Sequence, residues 1–233
     1  MKVAIMQPYF LPYIGYWQLI NAVDKFVVYD NIKYVKRSWI NRNKMLVNGR
    51  ESLFSLPLKS DSDYLDIVKR ELSTSFETER LKIIRKIEES YKKAPYFDDA
   101  YPVIAECLSY SDRNLFSFIY HSINQIKAYL GIDTQMIVSS TIDMDHSLRS
   151  QDRVIATCKK LAAQTYINSI GGIELYDKKV FAEHGIELLF IQSKPIEYEQ
   201  YDDPFVPWLS IIDVMMFNSP EKIREMLDAY DLI

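Results

Sequence analysis

Lys2-Val3-Ala4-Ile5-Met6-Gln7-Pro8-Tyr9-Phe10-Leu11-Pro12, followed one helix length later by Phe26-Val27-Val28-Tyr29-Asp30, is the stretch that decides the fold. Residues 2–6 form a short apolar run of the kind an inner strand shows when both of its faces are covered. Pro8 and Pro12 punctuate the loop behind it, and Pro12 suits the first turn of a helix over about 13–23. Residues 25–30 then read as a second strand. Strand, loop, helix and strand in thirty residues make a βαβ unit, which demands a right-handed crossover and a parallel pair. The expected fold is α/β: an open, mostly parallel, Rossmann-like sheet flanked by helices, with a helical insertion or an added helical layer.

Working outward, 31–48 is irregular, with Ile40 to Leu46 a helix or a hairpin arm, and Asn48-Gly49 is a strong turn dipeptide before a third strand over 52–57. Between about 65 and 130 the pattern is helical: Leu81, Ile84, Ile87 and Tyr91 recur at helical spacing within 76–91, and helices follow over 99–108 and 112–130, the last capped by Ser111 or Asp112. The α/β rhythm resumes with a strand ending at Ser139, a helix over 148–162, and a strand over 165–168. The turn Ser169-Ile170-Gly171-Gly172, a helix over 173–184 closed by Gly185, and a strand over 186–190 follow. After an irregular 193–206 stretch come helices over 208–217 and 220–230, with Ser219 as cap and Pro220 in the first turn of the second. The expected organisation is a single domain spanning 1–233 with a mainly helical insertion at about 65–130.

The chain has 28 basic and 32 acidic residues, a formal charge of -4. That balance disfavours bulk nucleic-acid binding but leaves room for a local basic pocket. Cys107 and Cys158 lie among apolar helical neighbours and read as buried thiols of a reducing compartment. With no secretory leader and no run long enough to span a bilayer, the expected location is cytoplasmic.

In an open parallel sheet, ligands bind beyond the carboxyl ends of the strands, where strand order reverses. The first strand ends in Gln7, Pro8 and Tyr9, the second in Asp30 and Asn31, and the later two in Ser139 to His146 and in Ser169, Gly171 and Gly172. The strand ending at Ser139 is expected beside the first. Lys36, Arg37 and Arg42 are candidate anion ligands, since guanidinium forks onto phosphate or carboxylate and an ammonium supplies a mobile charge. Trp39 between them can stack on a ring, while Asn41 and Asn43 can orient a polar substrate; the competing reading is a solvated basic loop with Trp39 plugged into the core. Ser169, Gly171 and Gly172 precede a predicted helix and can present backbone N–H groups to phosphate, or simply make a tight turn. Asp30 and His146 are the candidate proton carriers. Asp213, in an otherwise apolar helix, needs a partner if buried, either an arginine of the opening segment or a substrate; Ser210 or Trp208 can border the same cleft. With three histidines and no paired metal-ligand spacing, no transition-metal site is expected.

The blocks 7–16, 24–30, 36–43, 166–172 and 205–213, which include Gln7, Tyr9, Tyr16 and Asp213, resemble those of WbqC-like proteins nearly end to end. Such proteins commonly show Ser-Gly where this chain has Asn168-Ser169. The resemblance implies an association with O-antigen and other surface-glycan gene clusters, without a catalytic mechanism. A weaker likeness is to nucleotidyltransferases of the adenylyl-transfer superfamily, whose histidine pair is replaced here by Pro12-Tyr13-Ile14-Gly15-Tyr16. The expected function is group transfer onto an activated sugar or related small anionic metabolite, with a nucleotide-linked sugar as one partner, the cofactor unassigned, and homo-oligomerisation open. A non-enzymatic binding or scaffold protein of a glycan pathway is the alternative.

Overall fold

The computed structural model describes residues 1–201 and 204–233. The chain runs β1 (Lys2–Met6), α1 (Ile14–Asn21), β2 (Lys25–Val28), β3 (Arg42–Val47), β4 (Arg50–Ser55), α2 (Phe76–Tyr91), α3 (Phe97–Ser109) and α4 (Leu115–Leu130). It continues through β5 (Gln135–Val138), α5 (Ser150–Lys160), β6 (Thr165–Ser169), α6 (Lys178–Glu183), β7 (Glu187–Ser193), α7 (Ile211–Phe217), α8 (Pro220–Leu227) and β8 (Tyr230–Leu232). Six strands form one sheet in the order β5-β2-β1-β6-β7-β8, all parallel except the β7–β8 edge pair. This is a mostly parallel α/β sheet flanked by helices.

Strand alternation divides the core between the two faces, because successive side chains point opposite ways. Ala4, Phe26, Val28, Ile167 and Ile191 face α1, α2, α3, α4, α7 and α8, and this layer buries Trp17, Ile87, Ile104, Ile123, Met215 and Ile223. Val3, Ile5, Val27, Tyr166, Leu188 and Phe190 face α5 and α6, against Val154, Cys158 and Phe181. Every inner strand is therefore apolar on both sides, as the opening run of residues required.

Strand order departs from the sequence expectation. β5 pairs with β2, and it is β6 that lies beside β1. Because α2, α3 and α4 pack on the face already occupied by α1, the chain re-enters the sheet beyond β2. Thr134 Oγ1 donates to the carbonyls of Ile20 and Val23, and Gln135 N–H donates to Asp24 O, so the end of α1 fixes that entry. The crossover to the other side of β1 comes one strand later, through α5. The switch point thus lies between the carboxyl ends of β1 and β6.

Other differences are local. The third strand is β4, paired only with β3 in a hairpin outside the main sheet. Asn114 caps α4 in place of Ser111 or Asp112, accepting from Ser117 N–H. Residues 173–184 do not form one helix: a 3-10 stretch, Ile170–Leu175, precedes α6, which Asp177 caps through Lys179 N–H. The helix expected from 208 begins at Ile211, because Ser210 caps it and Trp208 sits at φ 61°. α8 stops at Leu227, and residues 230–232 form β8 instead of a last helical turn.

Candidate functional site: an aromatic cleft

Three segments distant in sequence meet beside the carboxyl end of the sheet. The β1–α1 loop brings Tyr9 and Tyr13, the segment entering β3 brings Trp39 and Lys44, and the residues before α7 bring Trp208; together these five line a cavity of about 360 Å³. Tyr13 and Trp208 are shared with a neighbouring cavity of about 510 Å³, lined also by Ser193, Ile196, Tyr198 and Phe205. Ring centroids stand 6.3 Å apart for Tyr9–Trp39, 6.3 Å for Tyr9–Tyr13 and 5.9 Å for Tyr13–Trp208. Trp208 is 67% exposed and Trp39 40%. Two bulky indoles are thus left open beside a cavity instead of being packed into the core.

Backbone ties explain how the segments are held. Leu11, Arg37 and Trp208 have φ of 44°, 62° and 61°, a region that costs a non-glycine residue on the order of 1–3 kcal/mol. Leu11 is fixed there because its carbonyl accepts from Asn43 Nδ2 at 2.5 Å and Ser210 Oγ at 2.7 Å. Ile211 N–H donates to Pro12 O and Ser210 N–H to Lys44 O. Gly15 is required by close approach: a Cβ there would stand 2.5 Å from Tyr13 Cε2 and 2.9 Å from Ser193 Oγ, both in the cleft wall. Burial, reinforced by Tyr13 and opposed by Arg42, raises the Tyr9 phenol above its usual value, and burial does the same for Tyr13. Both stay neutral donors across the physiological range.

The candidate residues separate into groups. Tyr9, Trp39 and Arg42 come together: the Arg42 guanidinium lies 4.9 Å from the Trp39 ring, donates to Arg37 O, and has a buried Nε with no hydrogen-bond partner. Tyr16 stands behind them, buried edge-on to Tyr9 at 6.1 Å and donating to Gln7 O. Asn43 is 1% exposed and spends its amide on Phe10 O, Leu11 O and Lys44 N–H, so it fastens the loop. Asn41 likewise accepts from Tyr34 Oη and donates to Leu56 O. Lys36 points away, paired with Asp63 at 2.7 Å, and lines a separate depression of about 250 Å³ with Tyr34, Asn41 and Arg70; the Arg37 side chain is exposed.

At the turn after β6, Gly172 is packed so closely that a Cβ would meet Asn168 Nδ2 at 2.2 Å, whereas Gly171 is open. The helix that opens at this turn is the 3-10 stretch Ile170–Leu175, with Ser169 at its N-cap, and not the α-helix expected over 173–184. Asp213 is fully buried behind Tyr198, accepting from Tyr198 Oη at 2.7 Å, Tyr91 Oη at 2.9 Å and Gln200 Nε2 at 2.5 Å. Burial raises its carboxyl above the usual range, and the three donors oppose that rise. Among the described residues no arginine reaches it; its partners there are phenols and an amide.

Asp30 and His146 lie elsewhere, near the ends of β2 and β5. Asp30 is 1% exposed and accepts from Ser140 N–H at 2.8 Å, stapling the two strand ends. Asn31 Oδ1 accepts from Arg153 Nη2, so its Nδ2 is the donor to His146 Nδ1 at 3.0 Å; His146 must then carry its proton on Nε2, directed at Ile142 O. Arg153 was not singled out by the sequence. Its signal was two arginines, 149 and 153, one turn apart at the start of a helix, where cations are disfavoured. No group of three or more His, Cys, Asp or Glu among the described residues is placed to hold a metal ion, and no helix there is long and apolar enough to cross a membrane.

A family model described as the WbqC-like protein family matches residues 7–225, and so takes in every segment of the cleft. The Mycobacterium tuberculosis protein described as "Uncharacterized protein Rv1507c" is 27% identical over 229 residues, covering 96% of this chain and 97% of that protein. No solved structure matches the chain.

Proposed function

This chain belongs to the WbqC-like protein family, and on that premise we propose that it is a group transferase acting on an activated sugar or a related small anionic metabolite in surface-glycan biosynthesis. The observation that carries the reading is the open pair of indoles, Trp39 and Trp208, with Tyr9 and Tyr13 between them. Such rings offer flat apolar faces to the C–H side of a sugar or to a base, while neutral phenols supply donors to its hydroxyls. Arg42, not paired with any carboxylate among the described residues, and Lys44, paired with Glu51 at 2.7 Å, give the cleft its positive rim. Gln7, Asn41, Asn43 and Tyr16 hold the loops that present these groups; Asp30 and His146, the expected proton carriers, stand at the ends of β2 and β5, outside these cleft walls.

A second reading, a non-enzymatic binding protein of the same pathway, is favoured by one specific observation: both ring nitrogens of His146 are already engaged. Thermal unfolding with a panel of nucleotide-sugars tests the cleft first. A ligand at a hundred times its dissociation constant stabilises the native state by about 2.7 kcal/mol, which for a chain of this size is a rise of roughly 5–10 °C in Tm. Trp208→Ala should abolish that rise without lowering the unliganded Tm, since the indole is mostly exposed. Absence of stabilisation by every nucleotide-sugar and sugar phosphate would overturn the reading. Stabilisation without turnover would select the binding protein over the enzyme.

A further inference from the structure

A separate cavity, of about 490 Å³, opens between the end of β2 and the start of α5. Its walls are Tyr29, Tyr64 and Tyr176, and its cations are Lys33, Arg149 and Arg153. Arg153 is 5% exposed, yet its guanidinium has no carboxylate within 4 Å among the described residues, and its Nε has no hydrogen-bond partner. Its remaining nitrogens reach Asn31 O at 3.3 Å, Asn31 Oδ1 and Ser139 Oγ at 3.5 Å, all of them neutral. A buried cation surrounded by neutral acceptors is costly unless an anion joins it.

The other groups point the same way. Arg149 is the N-cap of α5, its side chain makes no cap bond, and Arg153 follows one turn later, so two cations crowd the positive end of that helix. Arg149 makes only 3.4 Å contacts to the carbonyls of His146 and Leu148. Lys33 lies 4.6 Å from the Tyr64 ring centroid and pairs with no carboxylate among the described residues. Ser150 takes φ 47°, a strained value for the residue that opens the helix. Against three cations the lining has one acid, Asp66; Asp152, in the first helical turn, is exposed. In a chain of net charge -4 this is a local positive site.

We propose that this cavity binds the phosphoryl group of an organic phosphate, its charge balanced by Arg153, closed over by Arg149 and Lys33, and set against the N-terminus of α5. The tyrosine walls take the organic part. The Ile142–His146–Asn31 chain of hydrogen bonds fixes the angle of the Arg153 guanidinium, so Asn31 and His146 are positioning residues here.

The test is calorimetric titration of the full chain with pyrophosphate, ADP and glucose 1-phosphate, the last two separating a nucleotide from a sugar phosphate as the source. Saturable binding of at least one probe is expected, weakening with salt. Arg149→Ala should weaken it at least tenfold and Lys33→Ala several-fold; both positions are exposed, so both variants should fold. Arg153→Lys, which keeps the charge but loses the bonds to Asn31 and Ser139 that set its position, should lose most of the affinity. Trp208→Ala removes binding at the aromatic cleft, so the isotherm that remains in that variant reads this site alone. No saturable binding of any probe, or binding indifferent to Arg149→Ala and Lys33→Ala, would overturn the proposal.

Discussion

Asp213 is a buried carboxylate held without a cation. Two phenols and a carboxamide donate to it, and Tyr91 in turn accepts from Leu46 N–H at 2.8 Å, so the network couples β3 to α7. Its carboxyl is raised by burial, which sets the sign of the pH dependence. At low pH both folded and unfolded chains carry the neutral acid. As pH rises, the unfolded carboxyl ionises first, and this contribution to stability is lost as pH climbs through the higher folded value. Asp213→Asn should keep the fold, with Oδ1 accepting from Tyr198 and Gln200 and Nδ2 donating to Tyr91, and should flatten the fall in Tm that sets in as pH rises above about 4. Asp213→Ala strands three buried donors and should cost about 1–3 kcal/mol for each left unpaired, read from urea denaturation. The need for a partner was legible in the sequence, since a carboxylate in an apolar helix must find one. Which residues supply it was not, because Tyr91 lies 122 positions away and only packing brings it near.

At the scale of elements, the hairpin of β3 and β4 turns on Asn48 at φ 50° and Gly49 at φ 72°, two consecutive left-handed residues of the kind a tight two-residue hairpin demands. Gly49→Val forces a branched side chain into that region and should cost about 1–2 kcal/mol. Since Met45, Leu46 and Phe54 carry the hairpin into the core and Lys44 lines the cleft, the same variant should also weaken ligand-induced stabilisation. Chemical denaturation and the nucleotide-sugar panel read the two effects separately. That turn was legible because its chemistry is local: Asn-Gly tolerates positive φ wherever it occurs. The start of α7 was not. Trp208 and Leu209 continue the apolar pattern of the helix, and only the Ser210 cap and the reversed backbone at Trp208 show that the helix begins after them.

For the whole molecule, the sequence shows which runs are strands but not their order, since order depends on which face α2, α3 and α4 cover. β8 was missed because three residues carry no periodicity. It pairs antiparallel with β7, and Phe190 and Ile233 exchange both backbone bonds, at 2.9 and 3.0 Å. Deleting residues 230–233 should leave a folded chain whose open β7 edge self-associates with concentration, visible by light scattering after size exclusion. The ties at the cleft carry another consequence, which concerns time. Ser210 Oγ reaches back 199 residues to Leu11 O, and Ile211 closes onto Pro12 beside it. At about 5–20 residues per second, roughly 10–40 s separate synthesis of the two ends of that clasp. Until the second end clears the ribosome, Tyr9, Tyr13 and Trp39 have no Trp208 to face, and the completed cleft is among the last features the nascent chain acquires.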